Sequence, residues 1–452
     1  MAALLGIGFY FAGRTVYWLL RYVGWGDGEI EVRDIPTRIK DFLIYVIGQR
    51  RVIAEPAGMV HLFIFWGFLI LQVETIEYMI RGFFPHFHFS TMLGLTGYNS
   101  LLFLQDLFGG LVFVAIIVAA IRRFGVRPKH VLASADSAVI LVLIVGLMVT
   151  KFLANGAEIA YVLSASAVTA STAQVQALMS TNISAAINAV GLSAQEANPL
   201  IQEQLGHTPF WTPIATVFAR GFVSAGIPLS WLYGIHHVSY WLHIVIVVGF
   251  ANYIPFGKHL HLIGAMPNIF FKKHEPKGSL QAPDVDFENY AGESVGAAHV
   301  EDLSWKQLLD SYACTECARC EHYCPAYNTG KPLNPFMIIH KIKDQLRERG
   351  EEVVRRGADP DELDMDRLTG GVITKEELWA CTTCGACVEA CPVFIEHVDS
   401  IVDMRRYLAT MEADFSSEVG RTFRNLEQNM NPWGISQSFR ADWASDLDIP
   451  LM

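Results

Sequence analysis

The sequence predicts a mainly α-helical membrane protein, in which a bundle of about five transmembrane spans precedes a small helical, cysteine-bearing domain. Two observations support this fold class. Apolar runs of about 20 residues, the length that crosses a bilayer, recur through residues 1–271. All eight cysteines lie outside this region, in two short runs at 314–324 and 381–391. The apolar and the cysteine-bearing parts of the chain are therefore separate.

The apolar runs predict five spans, and the basic residues between them predict their orientation. The spans are expected at 1–24, 57–80, 98–121, 136–158 and 230–256. The first run lacks a positively charged start, so it is interpreted as an anchor and not a signal peptide. Three basic clusters mark loops on the cytoplasmic side: Arg38, Lys40, Arg50 and Arg51; Arg122, Arg123, Arg127 and Lys129; and Lys258, Lys272 and Lys273. The chain is thus expected in a bacterial or archaeal cytoplasmic membrane, with its N-terminus outside and its cysteines in the cytoplasm.

The predicted domain boundaries follow composition and charge. Residues 1–271 form the transmembrane domain, with a mostly extracytoplasmic insertion at 159–229. A linker at 272–300 leads to the cysteine-bearing domain at 301–410 and a C-terminal tail at 411–452. Residues 301–452 hold 16 Lys and Arg against 27 Asp and Glu, which is the whole net charge of −11. This acidity argues against nucleic acid and suits a protein partner with a basic docking face.

The cysteine spacing predicts two iron–sulfur clusters. Each run fits C-x2-C-x2-C-x3-C-P, in which three thiolates bind one cluster and the fourth binds the other. Cluster one is therefore assigned to Cys314, Cys317, Cys320 and Cys391, and cluster two to Cys381, Cys384, Cys387 and Cys324. Structural zinc also uses C-x2-C pairs, but it does not explain the third cysteine and the Cys-Pro, repeated twice. With helical patterns between the runs, residues 301–410 are interpreted as a helical dicluster ferredoxin domain holding two [4Fe–4S] clusters.

Three membrane histidines are candidate ligands of haem b. If the last span continues as one helix, His243 and His261 are 18 residues apart on the same face, about 27 Å apart along the axis. Neutral imidazoles in such positions suit axial ligation of haem iron. His61 lies at the inner depth and is expected to face His261 across one haem, whereas His259 points to the opposite side. The alternative is a set of solvated interfacial histidines.

A second, outer haem stays open, because the residue three turns beyond His61 is Leu71, followed by Gln72. Five further polar residues lie in the spans: Glu74, Glu77, Asp106, Lys151 and Glu158. Each is a candidate for handling quinone protons or a paired structural charge, and the second interpretation is favoured.

These motifs resemble known families. The segments GMVHLFIFWGF and WLHIVIVV…PFGKHLHLIG resemble the gamma subunit of respiratory nitrate reductases, in which His61, His243 and His261 fall on haem-ligand positions and the remaining ligand falls near Leu71. The cysteine domain resembles the ferredoxin part of heterodisulfide reductase and glycerol-3-phosphate dehydrogenase subunits. Together the halves resemble the heterodisulfide reductase D/E-like membrane proteins that pass electrons from electron-transfer flavoprotein to menaquinone.

The resemblance implies interaction partners, and the chain departs from the family pattern at one point. In that family, NPWG and R-x-x-W lead into cysteine-rich CCG domains, and no CCG motif follows in NPWGISQSFRADWASDLDIPLM. A CCG-domain subunit or segment is therefore expected as a partner, with membrane lipid, quinone and electron-transfer flavoprotein or a similar cytoplasmic donor.

The expected function is quinone oxidoreduction. Electrons would pass from the cytoplasmic donor through the [4Fe–4S] clusters and haem b to menaquinone, the substrate. One alternative is a quinol-dependent reductase subunit that passes electrons to a cytoplasmic disulfide or CCG partner. Another is a non-catalytic membrane anchor for a ferredoxin module. A transporter component is disfavoured because repeated, broken apolar segments are not evident.

Overall fold

The computed structural model describes residues 1–30, 32–84, 87–128, 134–168, 211–276, 278–283, 288 and 294–447. Across these ranges the chain is helical, and β-structure is confined to two isolated bridges. The N-terminal helices are α1 (Ala2–Val23), α2 (Ile35–Phe42), α3 (Arg50–Ile53), α4 (Gly58–Arg81), α5 (Ser90–Ala120), α6 (Ala135–Val168), α7 (Pro213–Ser224), α8 (Leu229–Tyr253) and α9 (His261–Phe270). The C-terminal helices are α10 (Trp305–Ala313), α11 (Arg319–His322), α12 (Pro325–Asn328), α13 (Pro335–Gly350), α14 (Lys375–Trp379), α15 (Ala386–Ala390), α16 (His397–Thr410) and α17 (Ser417–Asn429).

Among these residues, five helices are long and apolar enough to cross a membrane: Ala2–Val23, Gly58–Arg81, Thr96–Val126, Ala135–Tyr161 and Leu229–Tyr253. The predicted fold class, a bundle of about five spans followed by a helical domain, is confirmed. In the bundle α6 packs against α7 and α8, α4 against α5, and α1 against α8. Much of the predicted insertion, residues 169–210, lies outside the described residues.

The expected continuation of the last span to His261 is wrong. Helix α8 ends at Tyr253, and a turn containing Pro255 and Gly257 leads through a 3₁₀ turn at Lys258–Leu260 into α9. Asp136 of α6 stabilises this turn, since its carboxylate accepts hydrogen bonds from the Tyr253 hydroxyl and from the Lys258 backbone N–H, the latter at 2.9 Å. The five-turn argument that related His243 to His261 therefore does not apply.

Helix α9 joins the membrane bundle to the cysteine-bearing domain. A Cβ on Gly264 would lie 2.6 Å from the backbone carbonyl carbon and oxygen of Tyr312 in α10. Only glycine permits this approach, so the two backbones are in direct contact. His261 lies three residues before Gly264, and Cys314 follows directly after α10 ends at Ala313. One contact thus fixes a haem-ligand candidate relative to a cluster-ligand candidate.

The segment between α1 and α4 contacts the cysteine-bearing domain at a second place. Arg51 donates to the backbone carbonyl of Cys391 at 2.8 Å, and its guanidinium lies 3.8 Å from the centre of the Phe394 ring. In return, Arg319 donates to the backbone carbonyl of Arg51 at 2.9 Å and pairs with Glu55, also at 2.9 Å. The domain is therefore attached to one end of the bundle at two points.

We expect Gly264→Val to destabilise the contact between α9 and α10. The new side chain must push the helices apart, at a cost of about 1–3 kcal/mol. Thermal unfolding of the detergent-solubilised protein, followed by iron–sulfur absorbance, should show a lower midpoint. Gly249→Ala is the matched control, because a Cβ on this glycine of α8 meets nothing within 4 Å. Equal midpoints for the two variants would contradict the expectation.

Candidate metal centres

The two cysteine runs share one backbone conformation. Cys381 lies 67 residues after Cys314, and the residues with positive φ repeat at the same offset. Glu316 and Ala318 have φ of 53° and 56°, and Thr383 and Gly385 have φ of 53° and 73°. A left-handed backbone conformation costs free energy at a non-glycine residue, and it persists only where the surrounding structure enforces it. Their repetition indicates that the loops are shaped to turn consecutive thiols towards a common point.

The structure places Cys391 near Cys317 and Cys314 of the first run. Burial raises the pKa of the Cys391 thiol, and the neighbouring Cys317 and Cys314 raise it further. Burial likewise raises the pKa of Cys314 to about 12. Such thiols do not ionise alone at neutral pH, so bound metal has to compensate for the loss of their protons. Burial also raises the pKa of Cys320, and the neighbouring Cys314, Cys391 and Cys317 raise it further. These four cysteines fit a metal cluster in their donor chemistry and in their grouping.

The thiols assigned to cluster two line one small cavity of about 20 Å³: Cys324, Cys381, Cys384 and Cys387. Burial raises the pKa of Cys387 to about 12, and the thiols of Cys381, Cys324 and Cys384 contribute. In the described part of the chain, no three His, Cys, Asp or Glu side chains converge closely enough to hold a single metal ion. A four-iron cluster places each thiolate on a different iron, so its ligands need not converge on one point.

Hydrogen-bond donors surround several of the thiols. The backbone N–H groups of Thr383 and Ile395 donate to the sulfurs of Cys381 and Cys391, both at 3.3 Å. The His340 Nε2 lies 3.8 Å from the Cys314 sulfur. Burial lowers the pKa of His340 to about 3, and the nearby cations Lys343, Arg347 and Lys258 lower it too, so the ring is neutral. Donors of this kind tune the reduction potential of a cluster.

The histidines at the end of the bundle that contacts the cysteine-bearing domain form a second group. His259 and His261 have ring centroids 5.4 Å apart, and His61 of α4 lies within electrostatic range of both. Burial lowers the pKa of His261 to about 3 and that of His259 to about 4. The rings of His61, His259 and His261 thus lie together. His259 and His261, which lie outside the span, are held in the neutral form that binds metal.

The hydrogen bonds of His261 and His259 differ. His261 Nδ1 lies 2.7 Å from the Lys258 backbone carbonyl, so Nδ1 carries the proton and Nε2 is left as a metal ligand. The Nδ1 of His259 is buried and has no hydrogen-bond partner in the described structure. A continuous helix would turn His259 to the side opposite His261, so the sequence alone did not indicate that His259 belongs to this group. The Pro255–Gly257 segment was the available signal that the helix ends.

His243 lies apart from this group, in the interior of the bundle. Its Nδ1 is 3.0 Å from the Thr150 hydroxyl, which itself donates to the Gly146 carbonyl at 2.7 Å. The imidazole therefore donates from Nδ1 and keeps Nε2 free, the arrangement that an iron ligand needs. Leu71, the counterpart of the remaining family ligand, packs in the apolar core and has no ligating atom. Haem ligation by His243 therefore stays a prediction, and Leu71 cannot be the second ligand of that haem.

The five polar residues singled out in the spans all have partners. Glu74 pairs with Lys151 at 2.8 Å, and Glu158 with Arg81 at 3.7 Å. Three more contacts complete the set: Glu77 accepts from the Tyr98 hydroxyl at 2.9 Å, and Asp106 accepts from the backbone N–H groups of Ile214 and Ala215 at 2.6 and 3.1 Å. Each acid is thus paired or caps a helix, which agrees with the favoured interpretation of structural charges.

Lys258 marks the boundary between the histidine group and cluster one. Burial lowers the pKa of Lys258, and Arg123 lowers it further, whereas Glu316 and the thiols of Cys317 and Cys314 raise it. The same lysine lowers the pKa of His259. The two groups of ligand candidates are therefore neighbours where the bundle meets the cysteine-bearing domain.

Comparison with known proteins agrees with the geometry. Residues 313–395 match a family model described as a 4Fe-4S dicluster domain. The chain is 31% identical to the probable iron-sulfur-binding oxidoreductase FadF of Bacillus subtilis, over 96% of this chain and 59% of that protein. It is 30% identical to the EtfAB:quinone oxidoreductase of Syntrophomonas wolfei, over 98% of this chain and 58% of the relative.

The chain is similar to iron–sulfur oxidoreductases. It is also 37% identical to the probable membrane-anchored ferredoxin of Chromohalobacter salexigens, over 44% of this chain and 31% of that one. The predicted resemblance to the heterodisulfide reductase-like family is confirmed. The chain spans somewhat over half the length of the first two relatives. No solved structure matches it.

The crossed assignment of the clusters predicts which cysteine substitutions abolish the same electron paramagnetic resonance signal. We expect Cys317→Ser and Cys391→Ser to abolish one electron paramagnetic resonance signal, and Cys384→Ser and Cys324→Ser to abolish the other. Each variant should lose about half of the iron, because two four-iron clusters share it equally. Loss of the same signal in Cys387→Ser and Cys391→Ser, with the signal of Cys317→Ser retained, would instead show that each run binds its own cluster.

Proposed function

We propose that the chain is a membrane-bound electron-transfer protein that links a cytoplasmic donor, through its [4Fe–4S] clusters and haem b, to menaquinone. The observation that carries the proposal is the contact of α9, which begins at His261, with α10, which Cys314 follows directly. The printed name of the Syntrophomonas relative, a quinone oxidoreductase for EtfAB, supports quinone and electron-transfer flavoprotein as partners.

The ligand sets follow from the geometry and chemistry described above. Cys314, Cys317, Cys320 and Cys391 would hold cluster one, and Cys381, Cys384, Cys387 and Cys324 cluster two. His61 and His261 would hold one haem b, and His243 is the proposed ligand of an outer one. Bound clusters and haem supply one-electron transfer without proton exchange.

The protein's own residues set the conditions for this transfer. Burial keeps the imidazoles of His259 and His261 in the neutral form that binds metal. Lys258 lies between the histidines and the thiols. It places a cation beside the negative charge that cysteine-bound clusters carry. The backbone donors at Cys381 and Cys391 act on the sulfurs in the same direction.

The proposed organisation in the membrane follows the positive-inside distribution. The cluster domain, residues 301–410, would lie in the cytoplasm, and the bundle, residues 1–271, in the cytoplasmic membrane. The net negative charge of residues 301–452 suits a basic donor surface. A CCG-domain subunit or segment would complete the path between this donor and the clusters.

The haem assignment is tested by histidine substitution in the full chain. We expect His61→Ala and His261→Ala each to lose haem b, measured by the pyridine haemochrome assay on purified protein, while His259→Ala retains it. His237→Ala is the control, because His237 also lies in a span but is only half-buried and bonds to its own helix at the Tyr233 carbonyl. Unchanged haem content in all four variants would favour the anchor function and overturn the proposal.

A further inference from the structure

A cavity of about 740 Å³ lies between the cytoplasmic half of α1 and the end of α13. Its volume is within the range of about 300–1,000 Å³ that small-molecule sites occupy. Phe11, Trp18 and Phe256 give it an aromatic lining on the membrane side. Glu351 and Glu352, in the π-helical turn after α13, line the cytoplasmic side. The cavity thus connects the apolar depth of the membrane with the water-facing surface of the cluster domain.

Arg14 is the unusual member of this lining. It lies inside the α1 span, nine residues before Val23, or about 14 Å along the helix. Its side chain is exposed, and no hydrogen bond or ion pair links it to another residue in the described part of the chain. An arginine at this depth is costly and, in membrane proteins, usually marks a functional site. Its guanidinium needs an acceptor, and none lies within hydrogen-bond distance among the described residues.

The cavity is close to the proposed electron donors. Arg347 of α13 lines it and donates to the Pro255 backbone carbonyl at 2.6 Å. Two turns earlier on the same helix, His340 contacts the Cys314 sulfur at 3.8 Å. Seven residues of helix separate these two side chains by about 10 Å. A molecule in the cavity would therefore lie near cluster one and beside the turn that leads to His261.

The charges around the cavity select a neutral occupant. Three cations line it, namely Arg14, Arg347 and Arg355. Four carboxylates line it as well, namely Glu348, Glu351, Glu352 and Asp364. This balance disfavours an anionic lipid phosphate. It suits a flat, uncharged ring system that has acceptor oxygens and an apolar tail.

We propose that this cavity is the menaquinone site, with the Arg14 guanidinium donating to a quinone carbonyl oxygen and Trp18 packing against the ring. The inference rests on the proposed function, which supplies the electrons. Reduction takes two electrons from the clusters and haem and two protons from cytoplasmic water, and releases the quinol. Glu351 accepts a hydrogen bond from the Tyr22 hydroxyl at 2.9 Å, and this pair gives the protons a path from the surface. Arg14 stabilises the negative charge that the carbonyl oxygen gains.

The test uses the full chain in phosphatidylcholine nanodiscs, with menadione as the probe. Equilibrium dialysis gives the dissociation constant, and menadiol-driven reduction of the clusters and haem gives the rate. Arg14→Met and Trp18→Ala are each expected to weaken menadione binding roughly tenfold or more, since a charge-assisted hydrogen bond or an aromatic contact is lost. Iron and haem content should stay unchanged. Arg21→Met is the matched control, an exposed arginine on the same helix outside the cavity lining.

Each outcome decides between the alternatives. Equal menadione binding by the wild type, Arg14→Met and Trp18→Ala overturns the inference. It is also overturned if the Arg14→Met effect appears only in nanodiscs that contain phosphatidylglycerol, because the cavity then holds a lipid headgroup. If binding depends on Arg14 and Trp18 but menadiol reduces neither clusters nor haem, the site stands and the proposed electron path fails.

Discussion

The close contact of α9 with α10 at Gly264 is the constraint on which the rest of the structure depends. The membrane helices determine where α9 lies, and α10 determines where the first cysteine run begins. Because the two backbones touch, His261 and Cys314 cannot move independently. Electron transfer needs short, constant separations between its centres, and a packed interface provides them where a flexible tether would not.

The cluster domain is polarised around this interface. On the side that faces the membrane bundle, the Cys314 sulfur lies 3.8 Å from the Nε2 of His340, and the Cys391 backbone carbonyl accepts a hydrogen bond from Arg51. In the second run, Cys384 is exposed. The domain therefore has a buried end at the bundle and a solvent-exposed end.

The sequence predicted local features well and tertiary ones poorly. Cysteine spacing is a local property, so the clusters and the turn-forming loops followed directly from the two C-x2-C-x2-C-x3-C-P runs. The spans followed from apolar run length. The end of α8 at Tyr253 did not, because a carboxylate from a different helix, Asp136, stabilises the turn. His259 was misplaced for the same reason. The cavity at Arg14 also required tertiary structure, since its walls come from segments more than 300 residues apart.

The attachment of Arg51 to the Cys391 carbonyl has a consequence for biogenesis. Arg51 belongs to the segment between the first two membrane-spanning helices, and Cys391 is synthesised 340 residues later. The residues that form the bundle side of this contact therefore exist well before the cysteine whose carbonyl they bind. A metal cluster that takes Cys391 as a ligand can be completed only after this late segment has been translated.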